Sequence, residues 1–214
     1  MKRETVVVKF GGHAMDKEDL CAAFAGDVAL LRRNGVHLTV VHGGGPQIGA
    51  LLQRLHIESR FEKGLRVTDE ETMRAVEMVL CGQVNKVVVA RLAAAGCRAA
   101  GISGRDGGLL RARVKDAALG LVGDVTDVDA DLLFCLMEGG FVPVLAPVAS
   151  GPRGQALNVN ADTAAGAVAG ALGAGCFVLI SDVPGVLDGE KLLLPRLHRE
   201  EVGRLMESGV INGG

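Results

Sequence analysis

The stretch Val36–Gly45, VHLTVVHGGG, constrains the fold more than any other part of the chain. An apolar, β-branched run ends in three consecutive glycines, and Pro46 then opens a helix. Glycine lacks a Cβ, so backbone at this point can turn sharply and approach a ligand closely. A strand feeding glycines into a helix start also gathers free N–H groups and the positive end of a helix dipole at one spot, which suits an anion. Thr5–Gly12, TVVVKFGG, repeats the device and adds Lys9 at the strand end. Two glycine-bearing strand ends and one lysine point to a site for a phosphorylated ligand.

Other apolar runs fall at Arg98–Ile102, Val142–Ala146 and Cys176–Ser181, joining Thr5–Phe10 and His37–His42 as strands. Continuous apolar runs of this kind suit strands of a parallel sheet buried on both faces. Helical patterns separate them at Lys17–Asn34, Gln47–Leu55, Asp69–Ala95, Asp129–Glu138, Asp162–Leu172 and Arg199–Ser208. Thr68 followed by three acids makes an N-cap and helix start. Ile57–Val67 and Leu109–Asp127 read as protruding hairpins. This alternation predicts an α/β three-layer sandwich with a mostly parallel central sheet. The Gly/Pro cluster in Ala149–Gln155 marks the best boundary between two lobes, residues 1–150 and 151–214.

Composition removes several functions. The net charge of −2 carries no broad basic field, so nucleic acid and anionic membranes are poor partners. Trp and Tyr are absent, which leaves no base-stacking surface. Five widely spaced cysteines show neither a CxxC pair nor metal-ligand spacing and read as buried thiols of a reducing compartment. With no secretory pattern and no apolar run of membrane-spanning length, the expected location is cytoplasmic.

Several strings carry candidate chemistry. Gly43, Gly45 and Gly49 mimic GxGxxG loosely, with Glu58 or Glu62 as the ribose acid, but the spacing is off by one. No GxxxxGK[ST] occurs. Lys9 is a cation at the carboxyl end of a strand, where α/β sheets bind ligands. Arg66 in GLRVTD offers a guanidinium that could hold a carboxylate through two parallel bonds. In LNVNADTAAG, Asn158 and Asn160 alternate on extended chain and point the same way, and Asp162 sits at a helix start. The small-residue helix that follows permits close packing. SDVPGVLD is either a Pro-Gly turn or a loop cupping a nucleotide.

Taken in order, VKFGG, VHGGGP, GLRVTD, GRDGG, LNVNADTAAG and SDVPGVLD resemble the N-acetyl-L-glutamate kinases, the arginine-biosynthesis branch of the amino-acid kinase family. GLRVTD separates this branch from uridylate, aspartate and carbamate kinases of the same fold. The resemblance implies transfer of a phosphoryl group from ATP, with Mg²⁺, to the γ-carboxylate of N-acetylglutamate. It implies that Lys9 stabilises the transferring group, and that Gly11 and Gly44 offer N–H bonds to its oxygens. Gly44, Gly45, Arg66, Asn158 and Asn160 would hold the substrate, with Arg66 on its α-carboxylate, and Asp162 would orient the catalytic lysines. The nucleotide pocket would use Lys9, Gly11, Gly12, Ser181, Asp182, Val183, Pro184, Gly185, Val186, Gly209, Val210 and Ile211. No protein metal ligand is implied.

Within the family the chain continues past Ile211 to a second catalytic lysine, a helix and a strand. The sequence therefore reads as C-terminally truncated, with a nearly complete substrate lobe (1–150) and an incomplete nucleotide lobe (151–214) that exposes a sheet edge. Two other readings remain: a kinase for N-acetyl-aminoadipate, or a non-catalytic binder of acetylglutamate or arginine. With no extra N-terminal helix visible, the expected assembly is an arginine-insensitive homodimer paired through Asp69–Ala95.

Overall fold

A computed structural model of the chain describes residues 4–11, 15, 17–181, 183 and 185–210. The alternating pattern becomes a five-stranded sheet built from β1 (Thr5–Phe10), β2 (His37–His42), β5 (Ala99–Ser103), β8 (Val142–Ala146) and β11 (Cys176–Ile180). The order across it is β11-β1-β2-β8-β5, and every neighbouring pair is parallel. Helices α1 (Glu18–Arg33) and α4 (Asn85–Ala94) cover one face, and α5 (Asp131–Glu138) and α6 (Ala161–Ala171) cover the other.

Period-two alternation within β1 assigns its side chains to these layers. Val6, Val8 and Phe10 join Phe24, Val28 and Leu92 on the α1/α4 side. Phe10 stacks on Phe24 with ring centroids 4.1 Å apart. Val7 points the other way and joins Val41, Leu145, Leu133 and Val168 on the α5/α6 side. Lys9 shares that register, so the strand delivers its ammonium to the α6 face. The small residues of α6 do the packing foreseen for them: Ala164, Ala165 and Val168 are fully buried.

Helix α2 (Gly45–Arg54) follows β2 and begins two residues before the predicted start, with Gly44 as its N-cap. The expected hairpins form as β3 (Phe61–Glu62) with β4 (Leu65–Arg66), and β6 (Leu110–Val114) with β7 (Gly123–Val128). The second does not protrude freely. With β9 (Val148–Ser150) and β10 (Ala156–Asn158), which the sequence reading missed, it makes a four-stranded sheet ordered β10-β9-β6-β7. The Gly/Pro cluster at 151–155 is the turn joining β9 to β10. Helix α7 (Arg199–Glu207) ends the described chain.

Three expectations fail for physical reasons. Asp69–Ala95 is not one regular α-helix: α3 (Glu70–Glu77) and α4 are separated by a π-helical segment, Met78–Val84. The cap of α3 is Asp69, not Thr68; the Asp69 carboxylate accepts the Thr72 N–H at 2.8 Å, while the fully buried Thr68 hydroxyl donates to the Arg66 carbonyl at 2.7 Å. The thiols are free, but only Cys21 and Cys97 are buried, and Cys135 and Cys176 are exposed. Edge strand β11 also departs from the fully buried pattern. Its apolar side chains stay accessible, Leu179 at 54%, in line with the expected exposed sheet edge. Among the described residues, no helix is long and apolar enough to cross a membrane.

The cap assignment has a measurable consequence. Asp69→Ala is expected to lower unfolding stability by about 1 kcal/mol, read from urea unfolding by circular dichroism. No change in the midpoint would reject Asp69 as the cap.

Candidate active site

The carboxyl ends of β1, β2 and β8 open onto one cavity of about 320 Å³. Its lining includes Lys9, Gly43, Gly44, Gly45, Arg66, Asn158, Asn160 and Asp162. It lies between β1 and β2, beside the point where strand order reverses towards β11, the usual ligand crevice of an open α/β sheet. Lys9, segment 43–45, Arg66 and segment 158–162 thus meet around a single space, while Gly11 lies outside its lining.

Lys9 Nζ pairs with Asp162 Oδ1 at 2.9 Å, and the Lys9 side chain is only 14% exposed. Asp162 is free to do this because it is not the cap of α6. That role belongs to Asn160, whose Oδ1 accepts the N–H groups of Asp162 and Thr163 at 2.9 and 3.0 Å. The sequence reading had Asp162 at a helix start, orienting the catalytic lysines, and Asn160 in contact with the substrate. The extended backbone at 160 aims its side-chain oxygen at the first helical N–H groups instead, although Asn160 still lines the cavity.

Arg66 is 8% exposed. It donates from Nη2 to the Gly45 carbonyl at 3.0 Å and from Nη1 to the Ser59 hydroxyl, and its guanidinium lies 4.6 Å from the Phe61 ring centroid. Burial pushes its pKa down from the usual guanidinium value. Among the described residues, Arg66 forms no ion pair. A desolvated cation with neutral partners, set in the wall of a cavity, is chemically suited to pairing with an anion. Asn158 is positioned by the same loop: its Nδ2 donates to the Thr68 hydroxyl at 3.2 Å. Thr68 was read from the sequence as a helix cap, and its role beside Asn158 was hidden because the two are 90 positions apart.

At the glycine turn, a Cβ on Gly44 would lie 2.6 Å from Leu80 Cδ2, and one on Gly11 would lie 2.8 Å from the Ile180 carbonyl. Gly11 therefore needs glycine for space, since the opposing atom is backbone, whereas at Gly44 the opposing atom is the end of a flexible leucine side chain that can shift. A Cβ on Gly45 would meet nothing within 4 Å. The Gly11 N–H, expected to face a phosphoryl oxygen, is donated to the Ile180 carbonyl at 3.2 Å and ties β1 to β11.

The remaining nucleotide candidates lie outside the cavity lining. Ser181, Val183, Gly185 and Val186 follow β11, and Val183 and Val186 are exposed. Gly209, at φ 72°, terminates α7, with its N–H on the Met206 carbonyl and the Val210 N–H on that of Leu205. Gly12, Asp182, Pro184 and Ile211 lie outside the described residues.

His42, missed from the sequence as a site residue, is fully buried beneath the glycines. Its Nδ1 lies 2.8 Å from the Gly43 carbonyl and its Nε2 3.1 Å from Asn85 Nδ2. Burial is the main cause that pushes its pKa down to about 4, and nearby Lys86 adds to the shift. Cys81, on the π segment, is pushed up to about 11 chiefly by burial.

Comparison with known proteins places this geometry. The sequence model of the Amino acid kinase family matches residues 4–214. Acetylglutamate kinase of Gluconacetobacter diazotrophicus is 49% identical over 223 residues, covering 99% of this chain and 71% of the relative. That of Oleidesulfovibrio alaskensis is also 49% identical, covering 99% and 76%. The crystal structure of smu.665 from Streptococcus mutans superposes with a TM-score of 0.89 at 30% identity, covering 98% of this chain and 85% of that one.

The depressed His42 pKa fixes a pH dependence. Between pH 6.5 and about 4 the unfolded chain binds a proton that the folded chain refuses, so stability falls as pH drops through this window. The loss should reach about 3 kcal/mol and be absent in His42→Asn, measured as urea midpoints at stepped pH. A flat wild-type profile would rule out a neutral buried imidazole.

Proposed function

This chain belongs to the amino acid kinase family, and from that premise we propose that it phosphorylates the γ-carboxylate of N-acetyl-L-glutamate with ATP, a step of arginine biosynthesis. The observation that carries the reading is the charge inventory of the cavity: two cations, Lys9 and Arg66, and one carboxylate, Asp162, already committed to Lys9. A hydroxyl acceptor would need a base to take its proton. A carboxylate acceptor, with a pKa near ~4.3, is ionised at neutral pH and needs none. The site is thus suited to joining two anions and poorly equipped for deprotonation. The acetylglutamate kinases named above support the identity of the acceptor.

In this reading Arg66 holds the α-carboxylate, and Asn158, steadied by Thr68, holds the amide end. The γ-carboxylate oxygen attacks the γ-phosphorus of ATP; the bond to the β,γ-bridging oxygen breaks, ADP leaves and an acyl phosphate forms. Lys9, held by Asp162, neutralises charge on the transferring group, and the N-terminus of α2 offers N–H groups from the Gly44–Gly45 turn. Among the described residues no group of three or more His, Cys, Asp or Glu could hold a metal. Mg²⁺ would arrive with the nucleotide phosphates and neutralise their charge.

We assign the nucleotide base to the loop after β11, around Ser181, Val183, Gly185 and Val186. The substrate and pairing side is drawn mainly from residues 1–150, with Asn158 added from beyond the β9–β10 turn, and the nucleotide side from residues 151–214. The exposed Met78 and Val87, on the stretch from α3 to α4, support a homodimer. A sedimentation measurement giving a monomer or a hexamer would reject it.

Two variants test the substrate site. Arg66→Ala should remove saturable N-acetyl-L-glutamate binding by calorimetry, the suitable method for a chain without Trp or Tyr. A folded wild-type chain that ignores this ligand would end the substrate assignment. Lys9→Met should leave that binding in place and lower acyl phosphate formation, trapped with hydroxylamine, by about a hundredfold. An unchanged trapping rate would remove Lys9 from the phosphoryl site.

A further inference from the structure

We propose that Lys86, Asn85 and His42 form a directional hydrogen-bond relay whose role is to aim the Gly44 N–H at the substrate's anionic end. The three are positioning residues, and the inference rests on the reading of Gly44 as a substrate contact. The relay starts on α4. Lys86 Nζ donates to Asn85 Oδ1 at 3.0 Å and to the Gly101 carbonyl at 3.2 Å. That leaves the Asn85 amide nitrogen facing acceptors only: the Val144 carbonyl at 2.8 Å, the Ile102 carbonyl at 3.3 Å and His42 Nε2 at 3.1 Å. Two carbonyl oxygens cannot donate, so the amide group of Asn85 can sit only this way round.

The consequence passes to the imidazole. An NH₂ group has no lone pair to offer, so His42 Nε2 must accept and the ring proton must sit on Nδ1. Nδ1 then donates to the Gly43 carbonyl at 2.8 Å. Across a trans peptide the C=O of Gly43 and the N–H of Gly44 point in opposite directions. Fixing the carbonyl on the buried imidazole therefore turns the Gly44 N–H away from the core, at a residue that lines the cavity. Both His42 and Asn85 are fully buried, so water cannot substitute for a lost link. A Cβ on Gly101 would lie 2.0 Å from Asn85 Oδ1, so β5 presses on the relay from the far side. The His42 pKa, pushed down chiefly by burial with a smaller contribution from Lys86, agrees with a neutral ring.

The relay makes a prediction opposite to that of packing. Asn at position 42 can place its amide nitrogen near the site of Nδ1 and still donate to Gly43. Gln matches the volume of His better but reaches towards Asn85, the Nε2 end, and leaves the Gly43 carbonyl unpaired. Calorimetry with N-acetyl-L-glutamate should show His42→Asn within about threefold of wild type and His42→Gln weakened by about tenfold or more. Amide NMR should show the Gly44 resonance displaced in His42→Gln and close to wild type in His42→Asn. Imidazole ¹⁵N spectra of the wild type should place the proton on Nδ1, and Asn85→Ala should yield a mixture of tautomers. The relay is overturned if the wild-type proton sits on Nε2, if Gln preserves affinity better than Asn, or if the Gly44 amide is indifferent to both substitutions. A wild-type chain with the Nδ1–H tautomer and a His42→Gln-sensitive Gly44 amide, but no heat with N-acetyl-L-glutamate, would instead fail the substrate reading and leave the relay standing.

Discussion

The period-two alternation of the two central strands is the constraint from which the site follows. In β1 it sends Val6, Val8 and Phe10 to the α1/α4 layer, and Val7 and Lys9 to the layer of α6. A one-residue slip would bury the ammonium among Phe24 and Val28 and leave Asp162 without its cation. Register pairs Phe10 with His42, so β2 carries its imidazole beneath the glycine turn. Hydrophobic burial thus sets where two polar groups go, and the polar groups then select their partners.

The two polar groups behave differently because their surroundings differ. Lys9 sits at the cavity wall, paired with the half-exposed Asp162 carboxylate. His42 sits behind the wall, where desolvation makes protonation expensive and a neutral, singly protonated ring the stable form. One end of the sheet therefore presents fixed positive charge on one side and a fixed dipole on the other. Phosphoryl transfer depends mainly on positioning and charge neutralisation, and this arrangement supplies both.

Much of the frame was legible because it rests on local pattern. The apolar runs at 5–10, 37–42 and 142–146 became strands at those bounds, and Lys9 and Arg66 reached the cavity that their strand-end and loop positions implied. What stayed hidden depends on groups far apart in sequence. Asn85 meets His42 across 43 positions, and Asn158 meets Thr68 across 90; neither spacing leaves a trace in a local motif. That Asn160 caps α6 was not legible, because Asn and Asp both favour helix starts and only the backbone at 160 decides between them. The exposure of β11 came from no apolar count, since Cys176–Ile180 reads like an interior strand; among the described residues it pairs only with β1.

The π segment at Met78–Val84 sets a phase as well as a shape. It carries Leu80 and Val84, which crowd Gly44, and delivers Asn85 at its end. Wound as regular α-helix at the same length, the segment would turn everything downstream by roughly 100°, because an i→i+5 turn takes up one residue more than an i→i+4 turn. Asn85 would then face away from β2. The number of residues and the kind of winding are therefore matched across this stretch, and neither can change alone without moving the side chain that reaches His42.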